Sequence, residues 1–368
     1  MSVNPLVRLG ELGQSPWYDY ITRDLIASGT LSRLIADDGL LGMTSNPTIF
    51  EKAVAGSAAY DEDIRALAGA GSSPKTIFET LAVADVRAAC DAFRAVYDRR
   101  GGRDGLVSLE VDPSLARDTD ATIAEARRLW ALVDRPNAMI KIPGTLEGLP
   151  AVTRCVADGL NVNVTLLFSV ARYEQVFDAF VTGLEARGAR GLPIDAIRSV
   201  ASFFVSRLDT RADQVLDRIG ADPQLRGTAA IANACQAYRT FERAVAGGRW
   251  GHLAARGAEP QRPLWASTST KDPAYPDVYY VEALVAPRTV NTLPPATFEA
   301  YRDHGDPVVR IREGMEKAPA QLRALEAAGV DLDAITRALE AEGVDSFAAS
   351  YEQLLAGIEA KAGSLVGR

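Results

Sequence analysis

Asn137-Ala138-Met139-Ile140-Lys141-Ile142-Pro143-Gly144-Thr145 is an apolar run that carries one lysine and is closed by Pro-Gly. It reads as a strand, and a parallel strand covered on both faces is almost wholly apolar. A lysine in its middle therefore points at something other than hydrocarbon, because an unpaired ammonium in an apolar interior is strongly disfavoured. Period-two alternation puts Met139, Lys141 and Pro143 on one side of the strand and Ile140 and Ile142 on the other. Two readings are open from this stretch alone. Lys141 reaches water at a strand end, or it sits in a desolvated pocket, where such a group tends to lose its proton and attack carbonyls.

Working outward, the same pattern recurs. Gly105 to Asp112 sets Val107, Leu109 and Val111 on one face against Ser108, Glu110 and Asp112 on the other, and Asn161 to Phe168 sets Asn163 and Thr165 against Val162, Val164 and Leu166. Further strands are expected at 17–21, 40–46, 197–205 (carrying Ser202 and leading to Arg207), 264–267 and 289–293. Helical patterns separate them. Ile123, Ala126, Trp130 and Val133 form an apolar stripe, as do Ile231, Cys235, Tyr238, Phe241 and Val245, so Cys235 reads as a small core hydrophobe. Pro47 opens a helix with either Asn46 or the Thr48/Glu51 pair as its cap. Eight strands joined through helices predict an α/β chain of the (β/α)8, or TIM-barrel, class, with polar residues near the C-terminal strand ends forming the site. Residues 1–295 are expected to form the barrel with a short N-terminal arm. Residues 296–368 are expected to form a helical C-terminal extension packed on it, with helices at 297–301, 308–328, 332–342 and 346–362 and no chemistry of its own.

Composition narrows the chemistry. The 368 residues carry a formal net charge of -8, which argues against non-specific binding to nucleic acid or anionic membrane and requires a local cation cluster for any anionic substrate. Cys90, Cys155 and Cys235 are far apart with no CxxC, so neither a disulfide framework nor a thiolate metal site is indicated. No signal-peptide core or membrane-length apolar run is present, and a cytoplasmic location is expected. His252 and His304 are the only histidines, leaving little for a histidine-ligated metal or a Ser-His-Asp triad. Catalysis is expected to use lysine and carboxylates, with no metal and no cofactor.

Five segments together carry a resemblance: 42–52 (GMTSNPTIFEK), 107–113 (VSLEVDP), 139–145 (MIKIPGT), 161–168 (NVNVTLLF) and 265–271 (WASTSTK). In this order and spread over most of the barrel, they resemble the transaldolase family in its longer bacterial form. The resemblance implies transfer of a dihydroxyacetone unit from a ketose phosphate to an aldose phosphate in the non-oxidative pentose phosphate pathway. An enzyme that releases free dihydroxyacetone, like fructose 6-phosphate aldolase, is the alternative. A metal-dependent aldolase and a catalytically silent sugar-phosphate binder are disfavoured by the distal histidines and by the joint presence of Lys141, Glu110 and Asp19.

By resemblance, Lys141 forms the Schiff base, and Glu110 works through a water that Thr165 helps hold. Asp19 takes and returns the hydroxyl proton at carbon–carbon cleavage. Asn46, with Thr44 on its face, and Asn163 match residues that bind substrate hydroxyls. Ser202 and Phe204 match the sixth-strand segment whose serine contacts the covalent unit, and Arg207 and Ser267 match phosphate contacts. Plainer roles stay open: Glu110 as an ion-pair partner of Lys141, Asn46 and Asp19 as helix caps, Arg207 and Lys271 as solvated cations. The chain departs from the family's short members at Ser269, where those carry a second phosphate-binding arginine. Lys271, two residues on, is expected to replace it, with Ser267 and Ser269 adding hydroxyl donors. The expected partners are sugar phosphates, with no nucleic acid and no membrane, and the chain is monomeric or homodimeric.

Overall fold

A computed structural model of the chain describes residues 4–366. Eight parallel strands close into a barrel in sequence order: β1 (Gln14–Asp19), β2 (Gly42–Thr44), β3 (Leu106–Glu110), β4 (Ala138–Pro143), β5 (Val162–Leu167), β6 (Ser199–Phe204), β7 (Arg262–Ala266) and β8 (Thr289–Leu293). Closure leaves no edge, and β1 completes the ring by pairing Trp17 with Gly42 of β2 and with Thr292 of β8. Gly42 is required there: a Cβ would lie 2.4 Å from the Trp17 ring, which fills the space that a side chain on β2 would take. Asn161, just before β5, donates to the carbonyls of Pro136 and Ala138 and accepts from the Arg198 amide, tying the starts of β4, β5 and β6 together.

Parallel pairing carries side chains of register partners to the same side of the sheet. Asp19 pairs with Thr44, Glu110 with Lys141, and Lys141 with Asn163, so the polar face expected from alternation is the barrel interior. Asp112 leaves this set, because β3 ends at Glu110 and Asp112 caps the turn that follows while pairing with Lys75 at 2.8 Å. β5 is interrupted near its end: Leu166 adopts φ 62° and the β5–β6 register slips between Val164 and Leu167, a bulge that re-aims the side chains beyond Thr165. Cys235 is buried among helix residues, and burial pushes its thiol up to about 12, as a core position requires.

The C-terminal region differs from expectation. In place of two helices broken near residue 343, one helix runs from Leu332 to Val366. Gly343 weakens a helix by about 1 kcal/mol relative to alanine, yet it is retained within the helix because it permits close approach. A Cβ there would stand 3.0 Å from Leu166 at the β5 bulge. Arg172–Glu340 and Arg211–Glu342 ion pairs hold one part of the helix. Thr48 Oγ1 donating to Ser350 Oγ (2.9 Å) and Lys361 Nζ donating to the carbonyls of Val54 and Ser57 hold the other. The helix thereby runs from the β5 side of the barrel mouth to the helix that follows β2.

Candidate active site

At the C-terminal ends of the strands lies a cavity of about 560 Å3. A larger cleft of about 930 Å3 lies between residues 169–175 and 322–337, away from the polar strand ends. Asp19, Thr44, Asn46, Lys141, Thr165, Ser202, Phe204, Arg207, Ser267, Ser269 and Lys271 all line the first cavity. Glu110 and Asn163 do not. Glu110 lies against Lys141, and Asn163 lies in the layer below, donating to Ser108 Oγ (3.0 Å) and accepting from Ser202 Oγ (2.7 Å). The Asn163 side chain thus orients Ser202.

Lys141 Nζ lies 3.2 Å from Glu110 Oε2, donates to the Ser45 carbonyl at 3.2 Å, and stands 5.5 Å from the centroid of the Phe347 ring. The Glu110 contact is within ion-pair range, yet neither carboxylate oxygen has a well-aligned hydrogen-bond donor, and Thr165 Oγ1 is likewise buried without a partner. Burial raises the Glu110 carboxyl above its ordinary range, Lys141 pulls it back, and Asp19 adds to the rise. Asp19 is also raised, chiefly by burial, against the lowering effects of Lys141 and of the Thr44 hydroxyl. Thr44 Oγ1 donates to Asp19 Oδ1 at 2.6 Å and lies 2.6 Å from Thr292 Oγ1, so Thr292 fixes Thr44 and Thr44 fixes Asp19.

Asn46 settles the capping choice after β2. Its Oδ1 accepts from the Ile49 amide at 3.0 Å, while Thr48 bonds the C-terminal helix instead. The cap uses only the oxygen of Asn46, and its amide nitrogen has no protein partner among the described residues.

The opposite wall is cationic. Arg207 lies in the first turn of the helix Ser206–Ile219, with its guanidinium carbon 5.4 Å from the Phe204 ring centroid, and burial lowers its pKa. Lys271 stands at the exposed rim and donates to Ser269 Oγ at 2.8 Å; partial burial and then the nearby Arg207 charge lower its pKa. Among the described residues, neither cation forms an ion pair with a carboxylate. Two close, uncompensated positive charges favour an anion between them. Ser267 joins this wall through an unusual backbone: φ is 56°, its carbonyl accepts from the Ser206 amide, and its Oγ lies 3.0 Å from Ser206 Oγ. A non-glycine residue in this region costs of order 1 kcal/mol and is characteristic of functional sites. The loop carrying these groups is anchored by Asp272 to Arg226 (2.7 Å) and by Tyr275 to Asp213 (2.6 Å).

Thr292 and Phe347 also line the cavity and escape the reading of the sequence. Alternation along 289–293 gives Thr292 only a weak signal, because it shares its face with Val290 while Thr289 and Asn291 make the other face the more polar. Phe347 carries none, since nothing in a helical pattern tells which core ring meets a distant lysine.

Such an arrangement suits attack by an amine on a carbonyl, with proton carriers beside it and an anionic substrate group held at the far wall. In sequence, the family model described as transaldolase/fructose-6-phosphate aldolase matches residues 16–358. Among known proteins, the chain is 53% identical over 359 residues to a transaldolase of Acidothermus cellulolyticus, covering 96% of each chain. It is 50% identical over 363 residues to a transaldolase of Frankia alni, covering 98% of each. A transaldolase 1 of Streptomyces coelicolor is 50% identical over 358 residues, 96% of this chain and 93% of that one. The chain belongs to the transaldolase/fructose-6-phosphate aldolase family.

Proposed function

We propose that the chain is a transaldolase that works through an imine on Lys141. It moves a dihydroxyacetone unit from sedoheptulose 7-phosphate or fructose 6-phosphate to glyceraldehyde 3-phosphate or erythrose 4-phosphate, within the non-oxidative pentose phosphate pathway. The observation that carries this is the buried Lys141–Glu110 contact at the floor of a cavity whose opposite wall holds Arg207 and Lys271. Lys141 Nζ adds to the ketone carbon of the donor, and the resulting alcohol leaves as water to give the imine. Glu110, through a water that the buried Thr165 hydroxyl helps hold, gives the carbinolamine hydroxyl the proton with which it leaves. Asp19 accepts the proton of the hydroxyl beyond the scissile bond, the carbon–carbon bond breaks, and its electrons enter the imine to leave an enamine. The departing aldose phosphate is replaced by another aldehyde. The enamine carbon attacks it, Asp19 returns the proton to the new hydroxyl, and water frees the product ketose from Lys141.

Asn46, Thr44 and Ser202, the last oriented by Asn163, bind the hydroxyls of the three-carbon unit. Arg207, Lys271, Ser267 and Ser269 bind the phosphate, and Phe204 backs the guanidinium of Arg207. Of the described residues, 4–295 carry these groups, and 296–366 form the helical extension, whose Phe347 also lines the cavity; residues 1–3 and 367–368 of the two expected regions lie outside the described residues. Relatives about 50% identical over nearly the whole chain are named transaldolases, which favours transfer over release of free dihydroxyacetone. A net charge of -8 and the absence of any helix long and apolar enough to cross a membrane among the described residues support a cytoplasmic enzyme without nucleic-acid or membrane partners.

Fructose 6-phosphate supplied with and without erythrose 4-phosphate tests the reading. Sedoheptulose 7-phosphate should form only with the acceptor, and little dihydroxyacetone should appear without it. Fast dihydroxyacetone release that the acceptor does not suppress would make the enzyme an aldolase.

A further inference from the structure

We infer that Phe347, carried by the C-terminal helix, covers the three-carbon unit on Lys141 and sets how that unit divides between transfer to an aldehyde and loss to water. This rests on the Schiff-base reading above. Leu339, Gly343, Phe347, Tyr351, Leu354 and Ile358 follow one another at three- and four-residue steps and are all buried, so they form the inward edge of the helix. Most of that edge packs on hydrocarbon; Tyr351, for example, meets Phe78 edge-on at 5.6 Å. Phe347 differs. It is 5% exposed, it lines the cavity, and its ring centroid is 5.5 Å from Lys141 Nζ. A ring that only filled space would have hydrocarbon on all sides, whereas this one faces the reactive amine.

The position of Phe347 is fixed from both directions along the helix. One turn before it, Gly343 seats the backbone against Leu166 at the β5 bulge, and three residues after it Ser350 is bonded to Thr48. The ring is therefore a fixed roof. Beneath it, the enamine has two fates. Transfer joins its carbon to the acceptor aldehyde carbon while the aldehyde oxygen takes a proton. Loss consumes one water: a proton adds to the enamine carbon, the water oxygen adds to the imine carbon, and the carbon–nitrogen bond breaks to return the lysine amine and free dihydroxyacetone. An apolar ring over the bound unit keeps disordered water from the enamine carbon, while the cationic wall leaves a way in for an aldose phosphate.

The test compares dihydroxyacetone release from fructose 6-phosphate with transfer to erythrose 4-phosphate in wild type, Phe347→Ala and Phe347→Leu, each also trapped with borohydride. The ratio of release to transfer should rise by roughly an order of magnitude in Phe347→Ala and severalfold in Phe347→Leu, with the adduct still on Lys141. A merely structural role would lower both rates together and leave the ratio unchanged, and that result overturns the inference. Should the alanine variant not fold, the leucine variant decides by the same criterion. Absence of an adduct on Lys141 in the wild type would instead remove the Schiff-base reading, and the inference with it.

Discussion

Glu110 Oε2 and Lys141 Nζ lie 3.2 Å apart, on side chains 3% and 6% exposed, because β3 and β4 pair these two residues in register. The contact is a consequence of strand register, and it places the only two charged side chains of these strands against each other inside the barrel. Burial holds the Glu110 proton more tightly than usual, which suits a group that must deliver a proton near neutral pH.

Glu110→Gln keeps the shape of the pair and removes its proton carrier. Turnover should fall ~10²–10⁴-fold, with the Michaelis constant for fructose 6-phosphate little changed. Breaking a buried pair on one side costs ~3–5 kcal/mol, so a urea titration must accompany the kinetics. Full turnover in a folded variant would return Glu110 to a purely structural role.

Asp19 must be ionised to accept a proton, and its pKa is raised, chiefly by burial. Its active form is therefore lost as pH falls through a value above the ordinary aspartate pKa of about 4. The acidic limb of kcat/KM for fructose 6-phosphate should lie above pH ~4. Asp19→Asn should lower turnover ~10²–10⁴-fold. A limb at or below the ordinary value would detach Asp19 from the rate.

Lys271 donates to Ser269 Oγ at the rim of the cavity and feels the charge of nearby Arg207, so it offers a second cation to a phosphate. A charge-assisted hydrogen bond contributes ~1.5–3 kcal/mol, or roughly 10- to 150-fold in affinity. Exposure at the rim puts Lys271→Ala near the lower end, about tenfold weaker for phosphorylated ketoses. Unphosphorylated ketoses should be almost unaffected. Equal Michaelis constants for fructose 6-phosphate in variant and wild type would leave Arg207 as the sole cation on the phosphate.

Asp209, two residues after Arg207, is buried beside Asp213 and accepts from the Ala230 amide at 2.7 Å; burial pushes its pKa up to about 7. A carboxyl raised on folding binds its proton more tightly in the folded state. Its contribution to stability is complete below the unfolded value of about 4 and declines as pH rises through 7, by about 1.4 kcal/mol per unit of difference. Asp209→Asn does not titrate, so its melting temperature relative to wild type should improve from pH 5 to pH 8. A constant difference across that range would contradict the assignment.

Alternation alone is enough to place Lys141, Glu110 and Thr165, because the strand segments that carry them are regular and each residue's side follows from parity. Parity fails at Leu166 and Ser267, whose left-handed φ values of 62° and 56° turn the chain out of strand geometry, so the direction of Ser267 is not legible. The expected break near Gly343 follows from helix propensity, which packing against Leu166 overrides. Phe347 escapes for a different reason: its meeting with Lys141 depends on the course of a helix hundreds of residues further along the chain, and no local pattern encodes that.

Borohydride reduction in the presence of fructose 6-phosphate, followed by peptide mapping, tests the central claim most directly. One three-carbon adduct is expected, on Lys141, and Lys141→Ala should lose the adduct and the activity together. An adduct on Lys52 or Lys271, which line the same cavity, or full activity in Lys141→Ala, would contradict the account.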